Sequence, residues 1–193
     1  MTPLDTCDAI ERFLREKFGG VRLPAPDGGE SAINFFQMSL PQPGAQILKP
    51  RPEDEEGNEM ELDEGQFGDD IPIEEGGYTR AEARAIFPAV VIKPVKMSGG
   101  SEGEFWDMLT VVLTVGAFDD SSECVEGIKQ VVNILERCRQ LFEKNRVLEN
   151  RFKVDLPITY ELYDESVRPF FFGEMVTEWH MRLQTRETDL SAN

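Results

Sequence analysis

His180 is the only histidine in the chain, so any mechanism that needs an imidazole would have to run through it. It alternates with Glu178 and Arg182 on the polar side of an apolar-alternating run, which reads as a surface histidine rather than a catalytic base. No serine or cysteine stands in the sharp strand-to-helix context of a nucleophile elbow. Ser98-Gly99-Gly100-Ser101-Glu102-Gly103 has the glycine content of a phosphate-cradling loop. It lacks the lysine such a loop uses and no helical pattern follows, so it reads as a hairpin connection. Asp119-Asp120 offers adjacent carboxylates for a metal. Asp120 and Glu123 also have capping-box spacing ahead of an apolar stripe, and a helix cap explains the pair better. Cys7, Cys124 and Cys138 are odd in number, form no C-x-x-C, and two lie on the apolar side of helical patterns. They read as buried, reduced thiols. No catalytic residue, cofactor or metal is expected, and the chain reads as other than an enzyme.

The elements that would carry these residues follow from periodicity. Thr2-Pro3-Leu4-Asp5 starts a helix, with Leu4, Cys7, Ile10, Leu14 and Phe18 on one face and Gly19-Gly20 closing it. Residues 21–32 read as a loop, and Ile33 to Leu40 as a short strand. Phe87 to Val95 and Trp106 to Phe118 read as strands joined by the hairpin connection at Met97–Glu104. Leu109, Val111, Leu113, Val115 and Ala117 form one unbroken apolar face. A long helix follows, with Ile128, Val131, Leu135, Cys138 and Phe142 as its stripe. Phe152, Val154, Leu156, Ile158, Tyr160 and Leu162 alternate along a further strand, with Pro157 marking an edge or a bulge. Phe171, Met175, Trp179, Met181 and Leu183 line the last one. The expected fold is α+β: a mostly antiparallel sheet of about four to five strands packed against an N-terminal helix and one long central helix.

At 193 residues the chain suits one domain with a sizeable core. A net charge of −17 and a pI near 4.4 exclude binding to nucleic acid through a basic patch. There is no secretory apolar region and no membrane-spanning run, so the chain is expected to fold in a cytoplasm, away from membranes. Most of the excess charge falls in residues 44–77, which lack apolar periodicity. Glu53, Asp54, Glu55, Glu56, Asp63, Glu64, Asp69 and Asp70 make this stretch a candidate acidic surface, an excursion from the domain. Its carboxylates could take Ca²⁺ only weakly, for they lack the EF-hand order of ligands around a glycine. The tail 187–193 reads as frayed.

Two further stretches are candidate contacts with a subunit or partner: Glu102 and Glu104 in the hairpin connection, and Phe170-Phe171-Phe172. Three consecutive bulky aromatics cannot all face one core. Either the run is an exposed anchor, or two rings are buried at a strand start and one is shared with a neighbour.

Several segments resemble the tail terminator (tail completion) proteins of tailed bacteriophages. Ile86-Phe87-Pro88-Ala89-Val90-Val91-Ile92-Lys93-Pro94 is similar to their FPFVIVRP strand, and Val115-Gly116-Ala117-Phe118-Asp119-Asp120 to their strand-to-helix turn. Leu148 to Tyr163 resembles their hairpin strand, and Pro169 to Trp179 their PYWIGEMETTW segment. The resemblance covers residues 85–184 and, more weakly, the N-terminal helix. The acidic stretch departs from the shorter loop of that family. The resemblance implies a virion protein, assembled in the host bacterial cytoplasm, that forms a hexameric ring. The ring would sit on the last layer of tail-tube protein, stop polymerisation and present a surface to the head connector. DNA would pass through it unbound, repelled by an acidic lumen. Another head–tail connector or neck protein, or an acidic DNA-mimic binding module, are the alternatives.

Overall fold

A computed structural model describes residues 2–24, 30–42, 78–99, 106–121, 125–163 and 168–182. Helix α1 (Pro3–Phe18) starts with a reciprocal capping box: the Thr2 hydroxyl accepts the Asp5 N–H, and the Asp5 carboxylate accepts the Thr2 N–H. Two short strands, β1 (Leu23–Pro24) and β2 (Glu30–Ser31), pair within the stretch expected to be loop. Then come β3 (Asn34–Gln37), helix α2 (Arg80–Ile86), β4 (Ala89–Ser98), β5 (Trp106–Phe118) and α3 (Val125–Lys144). The chain continues through β6 (Val147–Leu148), β7 (Phe152–Val154), β8 (Thr159–Leu162) and β9 (Phe170–Arg182).

The class is the expected α+β. The main sheet has seven strands in the order β3-β4-β5-β9-β7-β6, with β8 also on β9. Its centre is β5 with β9, antiparallel and in unbroken register from Trp106↔Arg182 to Phe118↔Phe170. The higher strand count comes from two short elements. β6 is a two-residue strand, and the run 152–162 is cut in two at Pro157, where the ladder cannot be continuous. Residues 155–158 face only residues 177–178 of β9, so Leu156 turns outward and is exposed. β3 pairs with β4 in parallel, the one parallel pair among the described residues.

Residues opposite one another across a ladder share a face. One face carries Val90, Ile92, Leu109, Val111, Leu113, Val115, Met175 and Trp179, and α1 and α3 pack over it as a single layer. The two helices meet through Phe13 stacked on Phe142, with ring centroids 6.0 Å apart. Trp179 sits in the middle of this core, its ring edge-on to Phe142 at 5.4 Å. Its indole N–H donates to the Thr177 hydroxyl (2.9 Å), which donates in turn to the Val111 carbonyl of β5 (2.9 Å).

The α3 stripe is rotated from its expected setting. Gly127, Gln130, Val131, Ile134, Leu135, Cys138 and Phe142 are buried, whereas Ile128 is exposed. Gly127 is the cause: a Cβ there would lie 2.5 Å from the Phe171 ring and 2.9 Å from Asp119 Cβ. Only a residue without a side chain lets the helix approach so closely, and this turns Ile128 outward. Leu4 and Leu162, also expected in the core, are exposed at the ends of their elements.

Candidate functional site

The opposite face of the sheet has two parts. At one end α2 and a cluster of aromatic rings cover it; beyond them no described element does, and it is called the open face below. The cluster is built from the strand ends. Phe87 leads into β4, Phe118 ends β5, and Phe170 and Phe172 begin β9. Phe170 lies 5.4 Å from both Phe87 and Phe118, and 6.3 Å from Tyr78. Tyr78 donates its hydroxyl to the Pro41 carbonyl and so ties the cluster to the chain after β3. Gly116 is the floor: a Cβ would lie 2.6 Å from the Phe87 ring and 2.7 Å from the Phe172 ring.

The three expected contact aromatics are therefore split. Phe170 (3% exposed) belongs to this cluster, and Phe171 (3%) points the other way into the helix-covered core. Phe172 is half-buried against the cluster. Neither Phe170 nor Phe171 offers a surface to a partner; the edge of Phe172 does. Glu102, Glu104 and all eight candidate acidic-surface residues lie outside the described residues, as does Cys124.

α2 was not read from the sequence, although its signal is there. Thr79-x-x-Glu82 is a capping box: the Thr79 hydroxyl accepts the Glu82 N–H (3.2 Å) and the Glu82 carboxylate accepts the Thr79 N–H (2.8 Å). The helix is only seven residues long, too short for a stripe to show in periodicity.

Asp119 and Asp120 divide their work. Asp119, 2% exposed, accepts the backbone N–H groups of Ser121 (3.0 Å) and Gly127 (3.0 Å) at the start of α3. Asp119 thus performs the capping expected of Asp120, across eight residues. Asp120 instead faces Arg84 (3.2 Å) and Arg80 (3.8 Å) of α2. Burial pushes the Asp119 pKa up, but hydrogen bonds from Ser121, Gly127 and Glu126 outweigh it and leave the carboxyl below its ordinary value. A depressed acid stabilises the fold above its unfolded pKa and loses that contribution as pH falls through the folded value. Asp119→Asn should thus cost about 1–2 kcal/mol at neutral pH. Urea titrations repeated down the pH scale should show the gap to wild type closing below about pH 3.9. A gap that stays constant with pH would contradict the ionic cap.

His180 is half-buried on the open face, with Nε2 2.6 Å from Asp155 Oδ2. Lys153 and Met108 are its register neighbours. The sequence left this carboxylate partner unread because the bulge at 155–158 supplies it. Among the described residues no serine or cysteine stands in register beside the pair. Among the described residues no three or more His, Cys, Asp or Glu side chains converge on a metal position. Cys7 and Cys138 are buried, and burial raises their thiols to about 11 and about 12. Burial thus favours the neutral thiol over the thiolate at both positions. A shallow recess of about 310 Å³ opens between the end of α1, β1 and α3. Phe18, Val21, Leu23, Ile33 and Ile134 line its floor, and Asn133, Glu136, Arg137 and Gln140 its rim. No described helix is long and apolar enough to cross a membrane.

Charge is distributed unevenly. The described residues hold 17 Lys and Arg and 17 Asp and Glu, against 20 and 37 in the chain. Their formal charges cancel, so the whole net −17 belongs to the remaining 3 basic and 20 acidic residues. No protein-family model matches this chain, and no curated protein matches it.

Proposed function

We propose that this chain is a structural subunit of a bacteriophage particle. Its copies form a ring that caps the tail tube, ends tube polymerisation and offers a joining surface to the head. The observation that carries this reading is how the resembling segments are placed. Residues 86–94, 115–120 and 169–179 meet in adjacent strands at the aromatic end, where Ala89, Gly116 and Phe172 stand in register. Residues 148–163 pair along the other side of β9. Segments scattered over about a hundred residues of sequence thus form one continuous structural unit. The direct test is a map of the intact particle, with the chain expected at the junction of tube and head. A particle that assembles without the chain would overturn the reading. Another neck or connector protein would be found elsewhere along the same axis.

The charge partition favours a second reading, an acidic module that mimics DNA. The two separate on one variant. Deleting residues 50–76 should abolish partner binding by a DNA mimic. For the ring subunit the same deletion should leave assembly on the tube intact, read by electron microscopy of complemented particles.

A further inference from the structure

The main sheet ends on β3 and β6, and two further strands, β4 and β8, carry a stretch with no described strand along one side. The Ile92 carbonyl of β4 accepts the Met38 N–H. Beyond it Lys93–Ser98 runs on with only β5 at its side. Lys93, Val95, Lys96, Met97 and Ser98 are all exposed, Val95 at 58% and Met97 at 47%. Register places Lys93 beside Val112 and Lys96 beside Thr110, both on the open face, and Met97 beside Leu109 on the helix side. On the other flank, β8 pairs with β9 alone among the described strands. The Tyr163 N–H donates to the Phe172 carbonyl. By the antiparallel alternation, Tyr160 and Leu162 then turn their backbone groups away from β9.

That second edge is acidic. Glu161 is exposed and lies directly opposite Glu174 on the open face, a like-charge register pair that destabilises a sheet. The Tyr163 hydroxyl donates to Glu174 (2.6 Å), and no described cation makes an ion pair with either carboxylate. Leu162 on the helix side is 42% exposed and Tyr163 43%.

We infer that the Lys93–Ser98 edge of one copy docks against the Thr159–Tyr163 edge of the next. This rests on the ring reading and names the surfaces that would build it. Lysines meet glutamates on the open face, and Met97 meets Leu162 on the helix side. The two edges lie on opposite flanks of one sheet, so the contact is head-to-tail. It repeats into a ring when the rotation per copy closes. Pro94 has no N–H and the ladder is bulged at Val95, so side chains rather than a continuous ladder make the joint. Lys93 and Lys96 repel a second copy of the same edge, and their charge favours the acidic one.

Charge reversal tests the joint, with mass read by light scattering across a concentration series. Wild type should rise above the 21.9 kDa monomer. Lys93→Glu/Lys96→Glu and Glu161→Lys should each weaken association by roughly tenfold or more, because like charges then face each other. The triple variant carrying all three changes should regain it. Circular dichroism should show all variants folded, since every changed side chain is exposed. Association that ignores both reversals overturns this joint and leaves the ring reading standing. A wild-type chain that stays monomeric throughout overturns the joint, while the ring reading, which allows assembly on the tube alone, is decided by the particle map.

Discussion

Phe170→Ala should lower the unfolding free energy of the isolated chain by about 3–5 kcal/mol, the range for emptying a packed phenylalanine site. The reason is position. Phe170 is 3% exposed and is the ring through which Tyr78, Phe87 and Phe118 meet, with Phe172 stacked 6.5 Å beyond it. Removing it takes the filling from between α2 and the ends of β4, β5 and β9, and rigid strand ends close such a void poorly. Urea unfolding followed by intrinsic fluorescence would measure the loss. Phe172→Ala, at a half-buried ring, should cost less, about 1–2 kcal/mol, because less area returns to water. The pair of variants separates core from contact. If Phe170→Ala left stability unchanged and weakened only association, the placement of this ring inside the protein would be wrong.

Trp179→Ala should be at least as severe, again about 3–5 kcal/mol. Trp179 is fully buried between the sheet and α3, and its N–H completes the relay through Thr177 to the Val111 carbonyl. Thr177→Val would isolate the polar part. The indole N–H would then be buried without an acceptor, at a cost of about 1–3 kcal/mol. Trp179→Phe should be the mildest of the three, since it keeps a ring against Phe142 while the Thr177 hydroxyl still donates to Val111. Ranking the three midpoints in one urea series tests the assignment. Thr177→Val matching wild type would show that the relay contributes nothing.

The long elements were readable because their patterns are strong. The five alternating apolar residues from Leu109 to Ala117 are all buried at 1% or less, as their period of two requires. What the sequence concealed was decided by contacts between distant segments. Ile128 fits the helical stripe perfectly well by spacing, yet Phe171 presses on Gly127 and turns the helix past it. Asp119 and Asp120 are equivalent as neighbours, and only the approach of α2 with Arg80 and Arg84 gives them separate roles. The Phe170–Phe172 run left two readings open. The burial of Phe170 and Phe171 on opposite faces follows from the pleat of β9 once both faces have cover. The unpaired edges were invisible as well, because a strand does not announce which of its sides has a neighbour.

The charge partition has a consequence for handling the protein in solution. A body whose formal charges balance is close to its own isoelectric point near neutral pH, where net repulsion between copies no longer opposes precipitation. Residues 50–76 hold 12 acidic side chains and one basic one, so removing them would change the formal charge from −17 to −6. The low pI thus describes a minority of the chain. That minority supplies most of the net charge whose repulsion keeps separate molecules apart in solution.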